Sequence, residues 1–322
     1  MVKVVASKFV QLVLVLLAIS AITFFLLSAL PGSAALYRIG PLPSYTPTER
    51  AALIAKLSDQ LGLNKPLIVQ YWIWLKDALQ GNFGLTTEGE PVIQLIGSSV
   101  WASVELALAA LIPSIVASFL LALWAFRTKW RRGQAAVQGL MSTFFVIPGF
   151  WLGFLLVYLF AVKTQSFPAS GYVPLSQSVS GNLSHLVLPA LTLALPLTAL
   201  FFRYLLAGLE EAQMGAFVVA ARSKGISERA VAYKHVLPNG MLPTITIIGL
   251  ATGTLISSLV IIESVFSWPG LGSLLVQSVT QKDFNTLVAI VLLTAAVFVF
   301  TSVVVDVIYW FADPRTRRPG EL

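Results

Sequence analysis

Six stretches of this chain carry no charged residue for long enough to cross about 30 Å of hydrocarbon, and this constrains its fold more than any other feature. They lie at 9–30, 106–126, within 133–162, at 184–202, 244–262 and 286–305. Between 163 and 203 the early part is broken by Pro168, Gly171, Pro174 and Gly181, which leaves only 184–202 as a span. Hydrocarbon offers the backbone no hydrogen-bond partners, so such stretches become helices. With 57% hydrophobic and 11% charged residues, the chain lies outside the soluble range. The expected fold is an all-α integral membrane protein of six transmembrane helices. A helical insertion joins the first two spans, and a polar helical loop joins the fourth and fifth. The parts are 1–30 as N-terminal segment and first span, 31–101 as the insertion, and 102–322 as a five-span core that includes the loop 209–243.

Basic residues orient these spans. Lys3 and Lys8 precede the first; Arg127, Lys129, Arg131 and Arg132 crowd the loop after the second. Arg222, Lys224, Arg229 and Lys234 follow the fourth, and Arg315, Arg317 and Arg318 follow the sixth. The intervening loops are poorer in Lys and Arg, so the positive-inside bias puts both termini and the polar loop in the cytoplasm. The net charge of +7 is then mostly topology. No basic stripe with interleaved aromatics suggests nucleic acid as a partner. The first apolar run, about 22 residues, exceeds the 7–15 of a signal-peptide core, so an uncleaved anchor is expected. The absence of cysteine excludes a disulfide framework.

The insertion, 31–101, should be extracytoplasmic. Leu53, Leu57 and Leu61 fall at helical spacing behind Thr48 and Glu49, which predicts a helix within 47–63. A second helix is predicted over 65–79, where Tyr71, Trp72 and Trp74 suit the headgroup level of a membrane.

The chain carries no recognisable catalytic machinery. No Gly-Lys dipeptide occurs, so a phosphate-cradling GxxxxGK[ST] loop is absent, and no serine sits in a GxSxG frame. His185 and His235 fall on opposite sides of the membrane in this topology, against a shared metal site. Charges in or beside the spans are therefore the candidates for direct function, since each costs about 2.5–3.5 kcal/mol at mid-membrane on insertion scales. They are Glu105 and Glu263 toward the outside and Arg203 and Asp306 toward the cytoplasm. All four could snorkel or pair. Glu105 and Glu263 equally suit a cationic peptide terminus or a metal complex.

Two motifs go further. In the polar loop, Ala220-Ala221 is followed by three residues, Gly225, and eleven more before Leu237-Pro238. This resembles the EAA loop of bacterial ABC-importer permeases, with Val219 in place of the glutamate and His235 in place of the isoleucine. After the fifth span, Ile262 to Phe266 leads into SWPGLG and then Lys282-Asp283-Phe284, which resembles the E-x-V-F-x-W-P-G-L-G segment of the dipeptide, oligopeptide and nickel permeases. In the insertion, LGLNKPLIVQYWIWLKDALQGNFGLT is similar to the same family's extracytoplasmic region. With Asp313-Pro314-Arg315 the resemblance spans nearly the whole chain, and on it the chain is identified as similar to the first-permease type of that family.

The resemblance implies a permease subunit in the bacterial cytoplasmic membrane that moves short peptides, or else nickel or metal chelates. It also implies a second homologous permease, two ATPase subunits that hold ATP and Mg, and an extracytoplasmic binding protein. No cofactor and no enzymatic activity are expected of this chain itself. The loop becomes a coupling helix that docks on the ATPase, through Phe217, Ala220, Ala221, Arg222, Lys224, Gly225, Glu228, His235, Leu237 and Pro238. Phe217, Val218, Ala221, Val231 and Val236 are expected to supply its apolar side, Gly225 its change of direction, and Pro238 and Pro243 the ends of its helices. Glu105, Glu263, Phe266, Trp268, Pro269 and Gly270 are expected at the outer gate or pathway, with Pro269, Gly270 and Gly272 making a reversal. An ion-driven secondary transporter would need a repeat and a midplane acid, and neither is found. A non-transporting scaffold would leave both motifs unexplained.

The topology generates a test. Single cysteines placed at Ser58 and Ser227 should label from opposite sides of the membrane; labelling of both from one side would overturn the six-span arrangement.

Overall fold

The computed structural model describes residues 2–28, 56 and 64–312. The helix expected within 47–63, Ser58, and the residues from Asp313 onward, Arg315, Arg317 and Arg318 included, lie outside the described residues, as does the Asp306 side chain. The regular elements among the described residues are helices: α1 Val2–Ser28, α2 Leu67–Leu79, α3 Val92–Arg127, α4 Arg131–Val146, α5 Gly149–Leu156, α6 Val179–Gln213, α7 Ala216–Ser223, α8 Glu228–Val231, α9 Leu242–Phe266, α10 Leu271–Gln281 and α11 Phe284–Ala312. α5 runs on as a π-helical turn over Val157–Lys163, and α8 continues through Ala232–Val236 and Leu237–Gly240.

Among the described residues four helical runs are long and apolar enough to cross a membrane: Val92–Arg127, Val179–Gln213, Glu228–Phe266 and Phe284–Thr301. The third expected span is bent, with Arg131–Val146 and Gly149–Lys163 meeting at 107°. Pro148 explains the break. It has no N–H to continue the ladder, and it drives Ile147 to the extended backbone observed there, φ −66° and ψ 127°. The first expected span falls on α1. α3 begins at Val92, inside the stretch assigned to the insertion, because the apolar periodicity of Val92 and Ile96 continues the helix upstream. α6 extends from 179 to 213 through Pro189 and Pro196, with Ser178 as its N-cap accepting from the Gly181 N–H at 3.1 Å.

Two compact units divide the chain. One comprises Met1–Ser103 with Pro269–Phe300. In it α2 lays Tyr71 and Leu75 on Phe24 of α1, with the Phe24 and Tyr71 rings edge to face at 5.4 Å and the Tyr71 hydroxyl 2.8 Å from Ser20 Oγ. The opposite face of α2 leaves Trp72 and Ile68 exposed. A second cluster joins Val92 and Ile96 to Leu274 of α10 and to Ala289 and Ile290 of α11. Asp283 caps α11, its Oδ1 accepting from the Thr286 N–H at 3.1 Å and its Oδ2 from the Thr286 hydroxyl at 2.7 Å and the Thr87 N–H at 3.3 Å.

The other unit comprises Val104–Trp268 with Thr301–Leu322 and is built around α6. Seventeen residues of α6 are buried, among them Phe201, Phe202, Leu205 and Leu209. Ser114 of α3 donates to the Ala194 carbonyl at 3.1 Å, a hydroxyl bridge of the kind that joins helices where water is scarce. At the lower end backbone meets backbone: a Cβ on Gly208 would stand 2.3 Å from the Gly240 carbonyl oxygen, and one on Gly240 would stand 2.9 Å from that of Gly208.

That contact gives a stability prediction. Gly208→Val should lower thermal stability in detergent by about 1–3 kcal/mol or more, the usual range for overpacking. Gly97→Ala, in a helix with nothing near the added methyl, should be neutral or stabilising. Equal effects of the two substitutions would refute the close-packing account.

Candidate functional site

The polar loop is the first candidate. α6 ends at Gln213, and the chain turns through Gly215 into α7. α7 closes on Gly225 at φ +72°, with the Gly225 N–H on the Arg222 carbonyl at 2.9 Å and the Ile226 N–H on that of Ala221 at 3.3 Å. Nothing lies within 4 Å of a Cβ built there, so the glycine is needed for its left-handed backbone rather than for space. Ser227 then caps α8, accepting from the Ala230 N–H at 3.4 Å. Across this turn Arg222 grips Glu228 with two bonds, Nε to Oε1 at 2.9 Å and Nη2 to Oε2 at 3.0 Å. That grip holds the Glu228 carboxyl below its ordinary value and raises Arg222 above its own. The depressed carboxylate contributes its share of stability above the ordinary glutamate value, and that share is lost as pH falls through the lowered one. Both side chains are solvated, so the pair fixes an angle more than it adds energy.

Helical phase decides which side of the loop meets the rest of the protein. Val218, Ala221, Val231 and Val236 are buried within this chain, in one cluster with Leu205, Leu206, Leu209 and Ala212 of α6 and Met141 of α4. The expectation that these four face outward is thus corrected: they anchor the loop, because they fall on the side that α6 covers. The outward apolar surface is instead Phe217 with Met214 and Val219, 79% and 61% exposed. Ala220, Arg222, Lys224, Gly225, Glu228 and Pro238 are exposed, while His235 and Leu237 are half-buried. Pro238 and Pro243 open helical turns rather than end them, and the run from Glu228 to Phe266 continues through both. Sequence reasoning missed Met214 and the pairing of Arg127 with Tyr233, and read Val219 only as a departure from the motif. The Arg127 Nη1 donates to the Tyr233 hydroxyl at 2.9 Å, which braces the basic loop after α3 against this segment. Counting three and four residues from Val218 would have exposed the inward phase.

The second candidate surrounds the end of α9. Ser267, at φ 51°, ends the helix left-handed, and the Trp268 N–H closes on the Glu263 carbonyl at 2.8 Å. The reversal therefore rests on a serine rather than on the expected glycines. Glu263, Phe266 and Trp268 are all buried, Glu263 completely. Trp268 meets Tyr172 edge to face at 4.7 Å, and the Gly171 N–H donates to the Phe266 carbonyl at 2.9 Å. Tyr172 in turn donates to Glu105 Oε2 at 3.0 Å, and Asn182 Nδ2 to Glu105 Oε1 at 2.6 Å and to the Val173 carbonyl at 2.8 Å. Burial first, then this hydrogen bond and the carboxylate charge, push the Tyr172 hydroxyl up to about 12, so it remains a donor at neutral pH. Glu105 thus has a donor on each oxygen and holds the segment before α6 in place. In the other unit, Pro269 is exposed and Gly270 is the extended N-cap residue of α10, which takes Gly272 from the expected reversal into a helix.

Residues 114–318 match the family described as binding-protein-dependent transport system inner membrane component, and residues 1–115 match its N-terminal counterpart. The chain is 31% identical to a protein of Sinorhizobium fredii named probable peptide ABC transporter permease protein y4tP, over 96% of this chain and 97% of the relative. It is 33% identical to the glutathione transport system permease protein GsiC of Escherichia coli K12, over 97% and 98%. Among solved structures it superposes on an amino acid ABC transporter with histidines at a TM-score of 0.51 and 16% identity, covering 69% of this chain and 94% of that one, which is a likeness of fold.

The Glu105 network yields a test by hydrogen exchange. Tyr172→Phe and Asn182→Leu should each loosen residues 171–174, since losing a bond to a charged group costs on the order of 1.5–3 kcal/mol. Unchanged protection in both variants would rule out the clasp.

Proposed function

This chain belongs to the binding-protein-dependent transport system inner membrane components, and we propose that it is a permease subunit of an ATP-driven ABC importer. It crosses the cytoplasmic membrane six times with both termini inside and pairs with a second, homologous permease. Two ATPase subunits carry ATP and Mg, and a binding protein delivers substrate from outside. The relatives named for peptides and for glutathione support short peptides as the substrate class, ahead of nickel or metal chelates.

The observation that carries this reading is the two-sided build of the polar loop. Its inner side packs on α6 through Val218, Ala221, Val231 and Val236, while Phe217, Met214 and Val219 are exposed apolar side chains and Arg222, Lys224 and Arg229 are exposed cations in the same segment. An isolated linker gains nothing from exposing such a surface; a docking element does. A displacement imposed on it by an ATPase reaches α6 directly. At the other end, Glu263, Phe266 and Trp268 are assigned to the outer gate as packing elements, since Glu263 is enclosed by protein.

Gly225→Val is the test. A β-branched residue in the left-handed region costs on the order of 1–3 kcal/mol and would distort the angle between α7 and α8. In reconstituted complex the variant should insert and assemble but lose most receptor-stimulated ATP hydrolysis. Wild-type stimulation would refute a coupling role for the segment.

A further inference from the structure

One groove of about 280 Å³ opens among α4, α5, α6 and α9. Phe145, beside the bend in the third span, forms one wall; Thr192, Pro196 and Leu200 of α6 form the floor; Thr254 and Ser258 of α9 complete it. No charged side chain lines it. The Thr254 hydroxyl donates to the Ala251 carbonyl at 3.0 Å and the Ser258 hydroxyl to that of Thr254 at 3.4 Å, so their lone pairs remain to accept from a guest.

Arg203 is not itself a lining residue but neighbours two of them, Leu200 and Phe145. It lies three residues beyond Leu200, on the same face of α6. Its guanidinium sits 5.7 Å over the centre of the Phe145 ring, the residue that forms the groove wall. Arg203 is exposed and forms no ion pair among the described residues. A cation held on an aromatic face within a membrane-spanning run, with no counter-charge among the described residues, is suited to an anion from outside the chain. Glu105, by contrast, has donors on both oxygens, and Glu263 is enclosed.

We propose that this groove receives the carboxylate-bearing end of the transported molecule, with Arg203 as the residue that recognises the carboxylate. The proposal rests on the importer reading and narrows its substrate class. A fixed positive charge beside an otherwise uncharged groove favours a molecule with an anionic end, as every peptide with a free C-terminus has, and disfavours a bare divalent cation. Phe145 positions the guanidinium by stacking, and the planar fork of Arg203 donates two hydrogen bonds to the carboxylate.

The test uses the whole importer in proteoliposomes, with its second permease, ATPases and binding protein, and with glutathione and trialanine as probes. Arg203→Gln should lower ATP-driven uptake of both by about tenfold or more, since even one of the two charge-assisted bonds is worth that much, and Arg203→Lys should fall between it and wild type. Ser258→Asp leaves Arg203 intact but sets a competing carboxylate in the groove, and should lower uptake as well. Wild-type uptake by both Arg203→Gln and Ser258→Asp would overturn the proposal and leave the importer reading standing. Failure of Arg203→Gln to co-purify with the second permease would overturn it too, by placing Arg203 in a subunit contact. A wild-type complex that moves neither probe would remove the peptide reading and this inference together.

Discussion

Everything at the lower end of α6 depends on two residues without side chains. Gly208 and Gly240 let the backbone of α6 meet the segment that follows the polar loop, closer than any Cβ would allow. Only at that distance can Val231 and Val236 reach the hydrophobic cluster around Leu205 and Leu209. Where lipid is as apolar as leucine, burial alone gives helices little reason to associate, and close backbone approach supplies dispersion contact in its place. The loop is thus a continuation of the helical body.

The rest of that unit shows the same economy of polar groups. The segment before α6 contains Pro168, Gly171 and Pro174 and has no regular structure to hold it. It is held by a carboxylate with two donors, a ring against Trp268, and one main-chain bond to Phe266. Glu105 thereby turns an electrostatic liability in an apolar setting into the fastening for an irregular stretch.

Much of this was legible in the residues. Charge-free runs located the long helices, from local composition, and the resemblance of two strings to a known family drew attention to the polar loop and to the turn after α9. Gly225 was read as the pivot, and its φ of +72° agrees. What the sequence hid was phase and partnership. Val218 and Ala221 look like surface for a partner until α6 is seen to cover them. The reversal after α9 falls on Ser267 because a helix closing bond to Glu263 fixes it, a contact that no turn propensity of Pro269 or Gly270 reveals. The bend at Ile147 could have been read, since a proline dictates its predecessor's backbone. The groove beside it could not, because its walls come from four separate helices.

The prolines of α6 have a mechanical meaning. Pro196 lies twelve residues above Gly208, about 18 Å along the axis, and Pro189 seven residues higher. Below them the helix is stiffened by its fused loop; at each proline one rung of the ladder is missing. If the coupling role proposed for the loop holds, a push delivered at Phe217 would meet a rigid arm first and the weakened rungs at the prolines second.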